Sequence, residues 1–183
     1  MINSTPQVVT IAGSDSGGGA GVQADLKTFQ ARKAFGMSII VALTAQNTYG
    51  VQESMTIPST FIEAQFDSLA ADFVIGAAKT GMLADVERVE TVVEKLKQVD
   101  FGPLVVDPVM AAKGGHHLLQ SDAVKTINEK LLPLATLVTP NLPEAEVIID
   151  QRIATDQEMI QAAKKIQALG TQNVVVKGGH SQN

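Results

Sequence analysis

The 183-residue chain has a formal net charge of −5, 45% hydrophobic and 18% charged residues, and no cysteine. This length predicts one domain with a sizeable core, and the composition is that of an ordinary soluble globular protein. The acidic balance and an aromatic content of 4% argue against a nucleic-acid surface, no apolar run reaches membrane-spanning length, and the lack of cysteine excludes disulfides and fits the cytoplasm.

The first predicted elements are a buried strand over 8–12 and a helix from Gly21, joined by a connection with five glycines in nine residues. Glycines before a helix N-terminus favour an anion such as a phosphate. The connection is not a P-loop, because Gly19 stands where the lysine is required, and it misses the G-x-G-x-x-G register, because Val22 takes the last position. The polar residues 14–16 suggest a neutral organic substrate as well, and a tight turn built for packing is the alternative.

The remaining chain alternates strands and helices at short spacing, which predicts an α/β protein with a doubly wound, mostly parallel sheet and helices on both faces. We read the whole of 1–183 as a single domain of this kind. The further strands are predicted at 37–43, 51–57 (a short edge strand), 74–79, 104–106, 136–138 and 173–176. The helices are predicted from Gly21 to near Gly36, from a Thr60–Glu63 capping box to about Ala71, after the N-cap Asp85, from Ser121, and from a Thr155–Glu158 capping box to Gly170.

Polar motifs follow the carboxyl ends of these strands, which is the ligand-binding edge of open α/β sheets. They therefore converge on one cleft, which by itself fits a kinase, a dehydrogenase or a binding protein. The motifs are T-A-Q-N-T at 44–48, K-T-G-M at 79–82, D-P-V-M at 107–110, T-P-N-L-P-E at 139–144 and K-G-G-H at 177–180.

Together with the opening G-S-D-S-G-G-G-A-G-V-Q-A-D-L-K-T, these motifs resemble the hydroxymethylpyrimidine and phosphomethylpyrimidine kinases of thiamine biosynthesis, which belong to the ribokinase-like superfamily. The resemblance extends from about Val8 to His180. It implies a cytoplasmic enzyme that uses ATP and Mg²⁺ to phosphorylate 4-amino-5-hydroxymethyl-2-methylpyrimidine and then its monophosphate. It also implies a homodimer, with no nucleic-acid or membrane partner.

The family's pyrimidine pocket maps onto the backbone of Gly13 and onto Asp25, Gln46, Met82 and Val109. An aminopyrimidine offers donors and acceptors along one edge, which the amide of Gln46 can pair with, and a carboxylate near a helix start is favoured as an anion. Without the resemblance, Gln46 would be read as a solvated loop amide, and Met82 and Val109 as core residues.

The family's N-x-x-E signature, which helps hold magnesium and the phosphates, maps onto Asn141 and Glu144, and its nucleotide-side lysine maps onto Lys177. Two further candidates come from their places in the chain: Asp107, at a strand end before Pro108, for the metal, and Lys113, on a glycine loop, for the phosphates. Oxygen ligands suit Mg²⁺, which usually keeps several waters, and lysine supplies a point charge for phosphate. Read alone, Asn141 and Glu144 are equally well a helix cap. The histidines at 116, 117 and 180 have no partner ligands at a suitable spacing and are read as solvated loop residues.

One family feature does not occur in the 183 residues. The family carries a G-T-G-C motif that forms an anion hole and supplies the residue at the catalytic base position, and no G-x-G-C or G-x-G-D is found here. We therefore assign no catalytic base, and we expect the end of the sheet to expose apolar surface and turnover by residues 1–183 alone to fail. The alternatives are a pyridoxal kinase of the same superfamily, disfavoured by Gln46, and a non-catalytic ligand-binding remnant.

Overall fold

The fold is a seven-stranded sheet flanked by helices, and the computed structural model describes residues 5–109 and 121–179. Runs of β-branched and apolar residues with short polar connections form the strands. They are β1 (Gln7–Gly13), β2 (Phe35–Asn47), β3 (Gly50–Thr56), β4 (Ala77–Thr80), β5 (Leu104–Val106), β6 (Leu137–Val138) and β7 (Asn173–Val174).

Among the described residues, six helices connect the strands, and the fourth continues into one π-helical turn (Ile127–Leu131) and one 3₁₀ turn (Leu132–Leu134). Caps set several of the starts: the Asp85 carboxylate accepts the backbone N–H of Arg88, and Thr155 and Glu158 form the predicted capping box. The helices are α1 (Gly21–Ala31), α2 (Ser59–Ala70), α3 (Val86–Gln98), α4 (Ser121–Thr126), α5 (Leu142–Ile149) and α6 (Asp156–Gln167).

The strands lie in the order β3-β2-β1-β4-β5-β6-β7, and all neighbours are parallel except the β2–β3 hairpin at one edge. From the central β1–β4 pair the chain moves outward in both directions. Right-handed crossovers then place α1 on one face of the sheet and α3 on the other, since β1-α1-β2 and β4-α3-β5 step in opposite directions. This arrangement confirms the predicted doubly wound α/β class.

The face of the sheet that α1 covers at β1 and β2 is partly exposed along β4 to β7. Lys79, Val105, Leu137 and Asn173 are in register across β4 to β7, and each is partly or fully exposed. Their opposite-facing neighbours Thr80, Val106 and Val138 are buried to 0% exposure under the other helical layer. Within the described residues, one side of β4 to β7 thus has no full covering layer.

Two predicted boundaries around α1 and β2 are wrong. The helix ends at Ala31, not near Gly36, because Lys33 takes a left-handed conformation (φ 59°) that turns the chain. Gly36 lies in β2 beneath the helix, where a Cβ would come within 2.9 Å of the Phe29 ring. Residues 44–47 of the T-A-Q-N-T segment lie on β2 itself and not after it, because the β3 hairpin partner extends the pairing to Asn47.

Two further predictions about α2 and β4 are also wrong. Pro58 precedes the first turn of α2 and no side chain caps it, so the Thr60–Glu63 capping box does not form. The Ser59 hydroxyl instead donates to the Glu87 carboxylate (2.6 Å). The strand that was predicted from residue 74 begins at Ala77, and the residue at 74 is 88% exposed.

Candidate active site at the carboxyl edge of the sheet

The carboxyl ends of β1, β2 and β4 bring the predicted pyrimidine residues together. The backbone N–H of Gly13 donates to the Met82 carbonyl (3.0 Å), and that of Ser14 donates to the Ala42 carbonyl (2.8 Å). A Cβ at Gly13 would lie 2.4 Å from Met82 Cε, so only glycine lets the Met82 side chain lie against this backbone. Gly13 and Met82 therefore form one continuous wall of the site.

Gln46 is fixed to the glycine connection through its backbone. Ser16 Oγ donates to the Gln46 carbonyl (2.9 Å) and accepts the Gln46 N–H (2.8 Å). The Thr44 hydroxyl donates to the Ser14 carbonyl (2.8 Å) and lies 3.2 Å from Gln46 Oε1. The Gln46 side chain thus lies beside the Thr44 hydroxyl, and its backbone is bonded to Ser16, although Gln46 lies on a strand and not on the predicted loop.

The glycine connection, residues 13–21, is organised by Asp15, for which the sequence indicated only substrate hydrogen bonding. Its carboxylate accepts the backbone N–H groups of Gly17 (2.8 Å), Gly19 (3.0 Å) and Ala20 (2.9 Å). The side chain of Gln23 accepts the Asp15 N–H (2.8 Å). The amides that were expected to receive a phosphate are therefore already hydrogen-bonded within the protein.

Asp25 projects from α1 onto the sheet and meets two side chains there. Lys79 Nζ lies 3.0 and 2.8 Å from the two carboxylate oxygens, and the Thr10 hydroxyl donates to one of them (2.6 Å). Lys79 also lies 3.1 Å from where a Cβ of Gly81 would stand, one residue before Met82. The K-T-G-M motif alone assigns no role to Lys79; its signal in the sequence is a single lysine at the end of an apolar strand.

A second cluster follows β5, β6 and β7 and contains the predicted nucleotide and metal residues. Lys177 Nζ lies 2.9 Å from Asp107 Oδ1, and the Thr139 hydroxyl donates to the same oxygen (3.3 Å). Asn141 pairs with Lys177 in an isolated parallel bridge, and the Lys177 N–H donates to the Pro140 carbonyl (2.8 Å). These residues meet although 70 positions separate Asp107 from Lys177.

Asn141 and Glu144 form a capping box at the start of α5. Each side chain accepts the other residue's backbone N–H at 2.8 Å, and Glu144 is 8% exposed. The cap interpretation is therefore confirmed in geometry. Such a cap also fixes the direction of the Asn141 side chain beside Lys177, so it is compatible with a ligand role.

The two clusters adjoin between β4 and β5. The backbone N–H of Asp107 donates to the Thr80 carbonyl (3.0 Å), and half-buried Val109 follows, its N–H bonded to the Asp107 carbonyl (2.8 Å). Val109 thus lies on the boundary between the sides predicted for pyrimidine and nucleotide. Lys113 and the histidines at 116, 117 and 180 lie outside the described residues.

The donor chemistry limits how Mg²⁺ could be held. In residues 5–109 and 121–179 no group of three or more His, Asp or Glu could hold a metal ion. Asp107 and Glu144 supply hard oxygen atoms, but both carboxylates already have protein partners. These residues fit a cation that arrives with a phosphate ligand and keeps much of its water, and they do not form an all-protein cage.

The described part of the chain contains no helix with the length and hydropathy that crossing a bilayer requires.

The family model and the sequence relatives of this chain point to the same family. The family model for phosphomethylpyrimidine kinase matches residues 15–183. The hydroxymethylpyrimidine/phosphomethylpyrimidine kinase of Haemophilus influenzae is 53% identical over 182 residues, which cover 100% of this chain and 68% of that protein. The chain spans between 64% and 66% of the length of several other bacterial kinases of this name.

Solved structures agree with the sequence relatives. The phosphomethylpyrimidine kinase of Clostridium difficile 630 superposes with a TM-score of 0.92 at 43% identity, covering 98% of this chain and 78% of the other. An ADP complex of Bacillus subtilis pyridoxal kinase superposes with a TM-score of 0.89 at 39% identity, covering 98% and 69%. With the motifs, the fold and both kinds of relative in agreement, this chain belongs to the phosphomethylpyrimidine kinase family.

Proposed function

We propose that this protein contributes to a cytoplasmic ATP-dependent kinase of thiamine biosynthesis. Its substrate is 4-amino-5-hydroxymethyl-2-methylpyrimidine, and the resulting monophosphate is phosphorylated again to the diphosphate. The observation that carries the proposal is the juxtaposition of two clusters at one sheet edge: Gly13, Gln46 and Met82 beside Asp107, Asn141 and Lys177.

The first cluster binds and orients the pyrimidine. The Gln46 amide pairs with the polar edge of the ring, and Met82 and Val109 contact its faces, against the Gly13 backbone. Asp25 acts from beneath this wall, with its charge balanced by Lys79. Fixing the ring in this way holds the hydroxymethyl oxygen in one direction, which is the main contribution a protein makes to phosphoryl transfer.

The second cluster binds the nucleotide. Lys177 supplies positive charge for phosphate, Asn141 supplies a fixed amide, and Lys113 joins them as a proposed phosphate contact. When bound, Mg²⁺ supplies charge neutralisation for the phosphates, with Asp107 and Glu144 as its nearest carboxylates. The ion pair between Lys177 and Asp107 keeps both charges balanced while no nucleotide is bound.

Turnover needs more than these two clusters. The 183 residues contain no G-x-G-C or G-x-G-D motif, and the described residues leave one face of β4 to β7 without a covering layer. We infer that residues 1–183 form a single ribokinase-like domain lacking the anion-hole segment, which binds its ligands but transfers phosphate poorly alone. Loss of one anion-hole donor typically slows a reaction by about a hundredfold to a thousandfold.

Pyridoxal phosphorylation is the second candidate, favoured by the 39% identity to the Bacillus pyridoxal kinase. Gln46 argues for the pyrimidine, because its amide matches an edge that carries both a donor and an acceptor.

A homodimer fits the exposed edge of the sheet. β3 is the outer strand of the sheet and carries exposed Met55 (58% exposed), and Tyr49 (96% exposed) lies in the turn just before it. Such an edge is usually protected by pairing or by charge. Sedimentation of the wild type and of Met55→Lys tests this: a dimer that the substitution dissociates supports the edge, and a monomeric wild type contradicts it.

The experiment for the function pairs calorimetry with an ADP-release assay. Titration with the pyrimidine should give saturable binding, tighter than that of pyridoxal, in the presence and absence of MgATP. Turnover should appear only when a segment carrying the G-T-G-C motif of a family member is fused after Asn183. Tighter binding of pyridoxal would favour the second candidate, and turnover by residues 1–183 within tenfold of the fusion would refute the need for an added anion hole.

A further inference from the structure

The glycine connection has the composition of an anion receptor. Its backbone N–H groups at 17, 19 and 20 converge just before α1, where the helix dipole adds positive potential. In a phosphate-binding loop such amides stay available for the ligand. Here all three point at one group of the protein itself.

That group is the Asp15 carboxylate. Its Oδ1 accepts one N–H, its Oδ2 accepts two, and Asp15 is only 6% exposed. The Gln23 side-chain oxygen accepts the Asp15 N–H, and Lys27 Nζ donates to the Gly18 carbonyl at 2.7 Å. Since a carboxylate is a strong acceptor for backbone N–H groups, an incoming phosphate would have to displace a group that is covalently in place.

The residues on either side of Asp15 attach this folded connection to β2. Ser14 accepts from Thr44, and Ser16 exchanges two hydrogen bonds with the Gln46 backbone. A Cβ at Gly17 would stand 3.2 Å from Asp15 Oδ1 and 3.3 Å from the Gln46 carbonyl, so the connection and the strand are in close contact. The position of Gln46 is therefore set by the conformation that Asp15 imposes.

We propose that Asp15 is a positioning residue: its carboxylate fills the anion site of the glycine connection, closes it to external phosphate and holds Gln46 for substrate recognition. The second part rests on the proposed pyrimidine function, and the first does not. It leaves the Asn141–Lys177 side of the edge for the nucleotide phosphates, as the proposed function has it.

The first test uses the wild-type chain and inorganic phosphate as the probe. Backbone amide resonances of Gly17, Gly19 and Ala20 are followed by NMR during a phosphate titration at constant ionic strength. We expect no saturable shift at these three amides. A saturable shift there would show that the site is open and would overturn the first part of the proposal.

The second test uses Asp15→Ala and Asp15→Asn, with Asp100→Ala as the matched control. Asp100 makes the same kind of contact, accepting the Gly102 N–H at 3.0 Å, but it precedes β5 and so lies at the amino ends of the parallel strands, away from the site. Asp15→Ala should weaken pyrimidine binding by about tenfold or more, because three backbone N–H groups lose their shared acceptor and the connection that contacts Gln46 loses the group that orders it. Asp15→Asn keeps one acceptor oxygen and should fall between the wild type and alanine.

Nucleotide affinity and all affinities of Asp100→Ala should be unchanged. The Gln46 amide resonance should shift in Asp15→Asn and not in Asp100→Ala, which is a readout that needs no ligand. If Asp15→Ala does not fold, Asp15→Asn decides the outcome. An unshifted Gln46 resonance, or equal losses for pyrimidine and nucleotide, would refute positioning. If the wild type bound no pyrimidine, the proposed function would fail, while the phosphate and resonance measurements would still decide the role of Asp15.

Discussion

The substitution Gln46→Ala distinguishes two roles of the Gln46 side chain, recognition of the pyrimidine and support of the fold. The hydrogen bonds that join Gln46 to Ser16 use backbone atoms of Gln46 and survive the substitution. The Thr44 hydroxyl keeps its 2.8 Å bond to the Ser14 carbonyl and loses only its 3.2 Å neighbour. The change therefore removes the amide that is proposed to pair with the pyrimidine and leaves its surroundings in place.

The expected cost is the penalty for leaving ligand polar groups unpaired. This penalty is about 1–3 kcal/mol, or roughly a 5- to 150-fold rise in the Kd of the pyrimidine. The affinity for ATP should be unchanged, because the nucleotide residues lie beyond β5. Calorimetric titration of both ligands into the wild type and Gln46→Ala measures the two effects separately.

Gln52→Ala is the control for this experiment. Its amide lies on the neighbouring strand β3, is exposed, and donates only to the Asn47 side chain (3.3 Å). It should change neither affinity. Equal losses for pyrimidine and ATP in Gln46→Ala would mean that the side chain supports the fold, and an unchanged pyrimidine affinity would remove Gln46 from the site.

Two further predictions concern stability. Lys79→Ala should lower the free energy of unfolding, measured in urea, by about 1–2 kcal/mol, because it leaves the half-buried Asp25 without its cation. Lys97→Ala, which breaks an exposed ion pair, should change it by less than about 0.5 kcal/mol, and equal effects of the two substitutions would contradict this distinction. The Ala154 N–H, with further hydrogen bonds from Thr155, lowers the pKa of Glu158. The stability that Glu158 contributes should therefore be present above the ordinary glutamate pKa and lost as the pH falls through the pKa of Glu158 in the folded protein. Glu158→Gln should remove this pH dependence of Tm.

The strands and their order along the chain could be predicted from the sequence because the strands are short apolar runs, each followed by a polar motif. The strand predicted over 104–106 is observed with those bounds. The length of β2 was not accessible, because residues 44–47 are polar enough to suggest a loop and become strand only through pairing with β3. Tertiary pairing overrides local propensity at such an edge.

The members of the two clusters could be predicted from motifs, but their contacts could not. The pairing of Lys177 with Asp107, and of Lys79 with Asp25, joins residues 70 and 54 positions apart, which no local pattern encodes. The role of Asp15 had a local signal that was not used: aspartate two residues before glycine commonly accepts the following N–H groups. Its contacts are the ground for the proposal that the glycine connection is closed to phosphate.

The most direct test of the two-cluster account is an NMR titration of the same labelled chain with each ligand in turn. The pyrimidine should shift the amides of Gly13, Gln46 and Met82 and leave those of Asn141 and Lys177 unshifted. MgATP should shift Asn141 and Lys177 and leave Gly13 and Gln46 unshifted. Pyrimidine-dependent shifts centred on Asn141 and Lys177, or nucleotide-dependent shifts centred on residues 13–21, would contradict the assignment of the two sides.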